Sequence, residues 1–158
     1  MIPATAQPGD LVFCHGTGTV ARAIQLGQWL RYRQGYQFNH VQVLDAHVGG
    51  TWTVIQAEGK GVTRGAAAAA NGTVVALPDG VNRASVLAFA RAQVGRKYGF
   101  VTIASIVLTI LIPGSVSFML GDTWICSALA AESLRCGGWI HNWPAMNQVT
   151  PSQLYAAL

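Results

Sequence analysis

Charged residues are scarce in this chain, and their scarcity excludes several classes of protein. Asp, Glu, Lys and Arg make up only 10% of the 158 residues, whereas 51% are hydrophobic, so the composition excludes intrinsic disorder. The formal net charge is +4, and the basic residues are scattered without the stripe that is typical of nucleic-acid binding. We therefore expect one folded domain over residues 1–158 and no nucleic-acid partner.

Cysteine is also sparse, and the common metal-binding and export signals are absent from the sequence. The three cysteines, Cys14, Cys126 and Cys136, are odd in number and far apart, which predicts no disulfide framework. Neither the CxxC nor the HExxH spacing occurs, so we expect no metal site. The first residues lack the basic segment and apolar run of a secretory signal. We expect a cytoplasmic protein, or one released by cell lysis or delivered by a phage particle.

The apolar residues that are present follow the periods of strands and helices in turn. Alternating patterns predict strands at 11–13, 40–45, 51–57, 62–63 and 73–77. Helical spacing predicts helices at 20–33, 81–94, 100–112, 123–136 and from Pro151 onward. This order predicts an α+β fold in which a small antiparallel sheet packs against helices.

The segment 100–120 carries no charge and is long enough to cross a bilayer. Pro113 and Gly114 interrupt it, and the remaining apolar piece, 100–112, is short for a span. We therefore predict that 100–112 is a helix buried inside the domain. Contact with a membrane surface stays open as an alternative, but a span does not fit the pattern.

A cysteine at the start of a predicted helix is the most informative feature of the sequence. Asp122 or Thr123 is the expected cap, because short side-chain oxygens accept the unpaired amide protons of a first turn. Gly137 and Gly138 are expected to end the helix. Cys126 then lies at the positive end of the helix dipole, which favours the thiolate form. The alternative is a buried cysteine that acts as a small hydrophobic residue.

A cysteine nucleophile needs a base, and the base needs a third group to orient it. Among the four histidines, His40 alone begins a predicted strand, where its position would be rigid. Gln56, on the return strand of the predicted hairpin, is the expected orienting group, and Glu58 on the same face competes for that role. Ordinary surface or backbone-bonded polar residues are the alternative for all three.

Two further residues are candidates for the same chemistry. The phenol of Tyr98 is expected to donate to a developing oxyanion, together with the backbone N–H of Cys126. An amphipathic tyrosine at the edge of the core is the alternative. Cys14, followed by His15, is a rival nucleophile, although it ends a strand and lacks activation by a helix end.

Several short motifs, in this order and spacing, resemble the circularly permuted branch of the NlpC-type, papain-like cysteine peptidases, the YiiX-like group. The resemblance extends over nearly the whole chain. Its motifs are Pro8–Phe13, Phe38–Val43, Val54–Val62, Gly95–Tyr98, Trp124–Leu134 and Thr150–Leu154.

The resemblance implies a permuted papain-like fold in which the histidine precedes the cysteine along the chain. By resemblance, Cys126 is the nucleophile, His40 the base and Gln56 the third polar group, with no metal and no cofactor. Members often carry an acidic residue where Gln56 stands, so this chain departs from the family there. The implied activity is hydrolysis of an amide bond, often in a cell-wall peptide such as that of peptidoglycan, in a bacterial or phage setting.

Two other functions remain open at the level of the sequence. Relatives of the family transfer acyl groups on lipid-like substrates. A catalytically weak or inert interaction module on the same fold is the non-enzymatic alternative, since low charge and the uncharged segment 100–120 suit a buried interface. The sequence identifies neither the substrate nor the oligomeric state.

Overall fold

Seven strands and three helices with defined bounds are present in the part of the chain that the structure, a computed structural model, describes. That part comprises residues 2–16, 38–67, 72–101, 123–143 and 149–158, together with Arg22, Gln25, Leu26 and Trp29. The strands are β1 (Leu11–Cys14), β2 (His40–Val48), β3 (Thr51–Glu58), β4 (Gly61–Ala66), β5 (Gly72–Val75), β6 (Lys97–Tyr98) and β7 (Thr123–Trp124). The helices are α1 (Arg83–Ala92), α2 (Cys126–Cys136) and α3 (Pro151–Ala157).

The first five strands form one antiparallel sheet in the order β4-β3-β2-β1-β5. The strands predicted at 11–13 and 40–45 are confirmed, and Leu11, Phe13 and Val43 face one side while Val12 and Leu44 face the other. The polar and apolar alternation of 40–45 does not mark an exposed face, because residues 41–45 are all buried. The β2–β3 hairpin turns at Gly49 and Gly50, and its register shifts between Leu44 and Ala46. The α+β class is therefore confirmed.

The helices cover one face of the sheet and bury the larger core cluster. Helix α2 packs against α1, β2 and β3, and α3 packs against α2. Leu129, Ala130 and Leu134 of α2 are buried as the sequence predicts. Ala128 and Ala131 are buried too, so α2 has few exposed positions and serves as the central element between sheet and helices.

The predicted cap of the cysteine helix is wrong. The N-cap of α2 is Ile125, which has an extended backbone and no side-chain capping bond. Thr123 instead belongs to β7, which pairs in parallel with β6, and Asp122 lies outside the described residues. The pairing of Tyr98 with Trp124 holds the chain extended until Ile125, so the helix starts directly at Cys126.

The predicted glycine stop of the same helix is confirmed. Helix α2 ends at Cys136, and Gly138 adopts φ +94. The N–H of Gly138 donates to the carbonyl of Arg135, and the N–H of Trp139 donates to that of Leu134. These two bonds satisfy carbonyls that a helix end leaves unpaired.

Two of the other predicted helices are confirmed, and a third lies mostly outside the described residues. The helix predicted at 81–94 is confirmed with shorter bounds, and its N-cap Asn82 accepts from the N–H of Ser85. The terminal helix is confirmed with Pro151 in its first turn and a capping box between Thr150 and Gln153. Of the helix predicted at 20–33, four residues are described, and all four are helical.

Most of the uncharged segment lies outside the described residues. Phe100 and Val101 are helical, but their side chains are exposed, so the predicted burial is wrong at these two positions. Residues 102–122, which hold the remainder of the predicted buried helix, are not among those described. Within the described ranges, no helix is long and apolar enough to cross a bilayer.

Candidate active site

Cys126 is the first residue of α2, and the fold buries it where the helix meets the start of β2. Its side chain is almost fully buried. The backbone N–H groups of Val41 and Ser127 donate to its sulfur, and its side chain is hydrogen-bonded to His40. Ser127 is itself held by a bond from its hydroxyl to the carbonyl of Val149, at 2.6 Å. The sulfur therefore lies among donors that favour a negative charge.

His40 is the first residue of β2, and its ring is largely buried, with 14% of the side chain exposed. The two residues before it hold the strand start in place. Asn39 accepts from the N–H of Gly16 at 2.6 Å and donates to its carbonyl at 3.1 Å. Phe38 packs on Tyr155 of α3, with ring centroids 4.7 Å apart. His40 is thus anchored through the two buried residues that precede it in the chain.

The structure brings His40 and Gln56 together. The Nε2 atom of His40 lies 3.0 Å from Oε1 of Gln56, while its nearest approach to the Glu58 carboxylate is 4.0 Å. Gln56 is therefore the hydrogen-bond partner of Nε2, and Glu58 is a more distant charge at the half-exposed rim. Since Nε2 is engaged by Gln56, Nδ1 is the ring nitrogen left for the sulfur of Cys126.

Cys126 and His40 shift each other's pKa in opposite directions. Burial would raise the pKa of Cys126, but the charge and hydrogen bond of His40, together with the Val41 and Ser127 N–H groups, lower that pKa below its usual value. Burial would lower the pKa of His40, but Cys126, the bond to Gln56 and the charge of Glu58 raise it to about 9. Each residue therefore favours the charged form of the other, the thiolate of Cys126 and the imidazolium of His40.

Tyr98 lies in β6, next to β7 and hence next to the start of α2. Its side chain is buried. Burial raises the pKa of Tyr98, and the negative charges of Cys126 and Glu58 raise it further, so the phenol keeps its proton near the sulfur. The N–H of Gly99 donates to the carbonyl of Trp124 at 2.9 Å, which ties the tyrosine segment to the residues that precede Cys126.

The rival nucleophile Cys14 occupies a different environment. It lies opposite His40 in the β1–β2 register and is buried. Burial raises the pKa of the Cys14 thiol to about 12, and the charges of Cys126 and Glu58 act in the same direction. A thiol in this state is protonated at neutral pH, which makes it a poor nucleophile.

Gln42, which sequence reasoning did not identify, lies beside Gln56 in the structure. Its side chain is buried, and its Nε2 donates to Oε1 of Gln56, the atom that also accepts from His40. A signal was available, because Gln42 lies two residues after His40 and therefore on the same strand face. Strand periodicity does not predict its burial, because an alternating strand normally places its polar residues toward solvent.

No cluster of three or more His, Cys, Asp or Glu side chains suited to a metal ion occurs in the described part of the chain. Cys136, at the opposite end of α2 from Cys126, is exposed.

In comparisons with known proteins, neither a protein-family model nor a curated protein matches the chain.

Proposed function

We propose that this protein is a thiol hydrolase that cleaves an amide bond through an acyl-enzyme on a permuted papain-like fold. Cys126 is the nucleophile, His40 the proton carrier and Gln56 the group that orients His40. One observation carries the proposal: the buried His40 ring is bonded to the Cys126 side chain and to Gln56 at the same time. A cysteine that serves only as a small hydrophobic residue has no need of such a partner.

In the first half of the reaction, the Cys126 thiolate attacks the amide carbonyl carbon and forms a carbon–sulfur bond. The carbonyl π electrons move to the oxygen. In the proposal, the backbone N–H of Cys126 and the phenol of Tyr98 donate to this oxyanion. The imidazolium of His40 then donates its proton to the leaving nitrogen as the carbon–nitrogen bond breaks. An amine leaves, and a thioester on Cys126 remains.

In the second half, His40 is neutral and acts as a base toward water. Water loses a proton to the ring and attacks the thioester carbonyl, and the thiolate leaves as the carboxylic acid forms. The ring proton then balances the restored thiolate charge. No step of the proposed cycle uses a metal or a cofactor.

The substrate class that we propose is a peptide amide, with peptidoglycan peptides as the first candidates. The experiment is to incubate the protein with soluble peptidoglycan fragments and to identify new amine and carboxylate ends by mass spectrometry. Activity should require Cys126 and His40, whereas Cys136→Ala, at the far end of the same helix, should retain it. Products that persist in Cys126→Ala would contradict the proposal.

A covalent probe separates the alternatives. A peptide carrying a vinyl sulfone should add one probe mass to the protein, and digestion should locate that mass on Cys126. Labelling of Cys14 or Cys136 instead would overturn the assignment. Labelling of Cys126 without hydrolysis, but with transfer of an acyl group to an added alcohol or amine, would support an acyltransferase. Absence of both labelling and turnover would support an inert interaction module.

A further inference from the structure

Gln42 is a buried polar residue that has no role in the reaction steps proposed above. Its side chain is 2% exposed, and its Nε2 donates to Oε1 of Gln56. Its own Oε1 is buried and has no hydrogen-bond partner among the described residues. An unpaired buried acceptor is destabilising, so an apolar side chain would serve better if Gln42 only filled space.

We propose that Gln42 is a positioning residue that keeps the oxygen of Gln56 turned toward His40 and thereby selects the tautomer of the ring. This inference rests on the proposed function, in which His40 must present a basic Nδ1 to Cys126 or to water. It assigns Gln42 no contact with substrate. Its role is exerted through Gln56 alone.

The geometry around the Gln56 oxygen supports this role. A carbonyl oxygen accepts two hydrogen bonds, and here both donors are present, Gln42 Nε2 and His40 Nε2. His40 Nε2 must therefore carry a proton whether the ring is neutral or charged. In the neutral ring only one nitrogen is protonated, so Nδ1 is the free base. That is the nitrogen left for Cys126.

Rotation of Gln56 alone would remove this selection. Half a turn about its last side-chain bond would place its NH2 group against His40 Nε2, which favours the tautomer with the proton on Nδ1. The same turn would place that NH2 group against the NH2 group of Gln42, so that two donors meet without an acceptor. Rotation of both amides together would still place a donor against the charged ring, because imidazolium is protonated on both nitrogens. Gln42 therefore opposes the rotation of Gln56.

The test reads the tautomer directly, without substrate. In Cys126→Ala the thiolate is gone, and above its pKa His40 is neutral, so nitrogen-15 NMR of the imidazole distinguishes the two tautomers. We expect the proton on Nε2. Adding Gln42→Met, which is similar in length but has no donor, should shift the ring to a mixture of both tautomers. The control Gln153→Met, in the cap of α3, should leave the tautomer on Nε2.

Stability and kinetics complete the test. Gln42→Met removes the unpaired oxygen, so thermal stability should be retained, while kcat with Cys126 present should fall about tenfold at unchanged KM, as for loss of an outer hydrogen-bond partner. Should Gln42→Met fail to fold, Gln42→Glu tests the same point. Its carboxylate has no N–H to donate and attracts the NH2 group of Gln56, so the His40 tautomer should again shift away from Nε2.

Two failures are distinguishable. An unchanged Nε2 tautomer in both Gln42 variants would overturn the role of Gln42, even if the protein proves to be a hydrolase. Absence of Cys126-dependent turnover would overturn the proposed function whatever the tautomer. A drop in stability with an unchanged tautomer would show that Gln42 is a packing residue, which also contradicts the proposal.

Discussion

The titrations of Cys126 and His40 set the expected pH dependence of the site. The pKa of Cys126 is lowered and that of His40 is raised to about 9, so the ion pair persists between these two values. Below the lowered pKa the sulfur is protonated, and above about 9 the ring loses its proton. Hydrolysis, which needs both charges, should therefore be bell-shaped in pH, with its alkaline limb near 9.

Alkylation of Cys126 by iodoacetamide tests the acid limb. The rate should rise with pH at a midpoint below the free-thiol value of about 8.5, because the thiolate is stabilised by His40. His40→Ala removes that charge and hydrogen bond, so the midpoint should move upward. The measurement uses mass spectrometry of protein labelled at a series of pH values, in a Cys14→Ala/Cys136→Ala background.

In the wild-type chain, Cys14 and Cys136 should be alkylated more slowly than Cys126. Burial raises the pKa of Cys14 to about 12, and burial with the Glu132 carboxylate raises that of Cys136. Neither should label at mildly acidic pH. Faster labelling of Cys14 than of Cys126, with no effect of His40→Ala on Cys126, would require the Cys126–His40 pair to be abandoned.

Gln56 and Glu58 can be separated by matched substitutions. Gln56→Ala should lower kcat roughly tenfold with a small change in KM, because it disturbs the orientation of His40 and not the substrate groove. Glu58→Gln keeps the side-chain size and should have a smaller effect, since its carboxylate is 4.0 Å from Nε2 and half exposed. A larger loss in Glu58→Gln would transfer the orienting role to Glu58.

The contacts of the site that could be predicted from the sequence are those between residues close together along the chain. His40 and Gln56 come from one hairpin, so local alternation and a short turn were enough to predict that they lie near each other. The contact of Cys126 with Val41 joins residues far apart in the chain, and no local pattern encodes it. Gln42 was missed because its burial depends on what covers that face of the sheet, which strand periodicity does not specify.

At the scale of elements, the start of α2 shows why its cap could not be predicted. Thr123 is a good cap by its side-chain chemistry. The parallel pairing of β6 with β7 takes Thr123 and Trp124 into a strand instead, and that pairing joins segments on either side of residues 102–122. The end of α2 was predictable, because the positive φ of Gly138 is a local backbone conformation that glycine favours.

The two glycines after α2 are required for different reasons, and substitutions can separate them. Gly137 has φ −78, but a Cβ there would lie 2.6 Å from Val86 and 2.8 Å from Val81. Gly138 has φ +94, with nothing within 4 Å of its Cβ position. Gly137→Ala should cost roughly 1–3 kcal/mol through overpacking against α1. Gly138→Ala should cost about 1–2 kcal/mol through backbone strain.

Urea denaturation measures both costs. Gly138→Asn should recover part of the loss seen in Gly138→Ala, because asparagine tolerates positive φ better than alanine. Gly137→Asn should be worse than Gly137→Ala, because the larger side chain increases the overlap with Val86. Equal recovery by asparagine at both positions would contradict this division of roles.

At the scale of the whole molecule, one buried carboxylate joins three elements. Asp45 of β2 has no exposed side-chain area, and it pairs with Arg64 of β4 and with Arg91 of α1, the latter at 2.6 Å. Burial would raise the pKa of Asp45, but the hydrogen bonds and charges of Arg91 and Arg64 hold it below the usual value. Both guanidinium groups are about half exposed, which weakens each pair through solvent screening.

Asp45→Asn should therefore destabilise the fold by about 1–2 kcal/mol at neutral pH. Because the folded pKa is lowered, this stabilisation is present above the unfolded pKa of about 3.9 and is lost as pH falls through the folded value. The difference between wild type and Asp45→Asn in urea denaturation should shrink as the pH falls below the unfolded pKa of about 3.9. The surface pair of Glu132 and Arg135 is the control, since Glu132→Gln should change stability little. A constant difference across pH would contradict the ionic role.

Helix α3 has a consequence for how the protein is made. Its Ser152 hydroxyl donates to the carbonyl of Phe38, two residues before His40, and the carbonyl of Val149 just before it accepts from Ser127, the neighbour of Cys126. During synthesis, both Cys126 and His40 leave the ribosome before these supports exist, and domains generally fold as units. A nascent chain that ends before Val149 lacks both bonds, so under the proposed function we expect its Cys126 to react as an ordinary thiol.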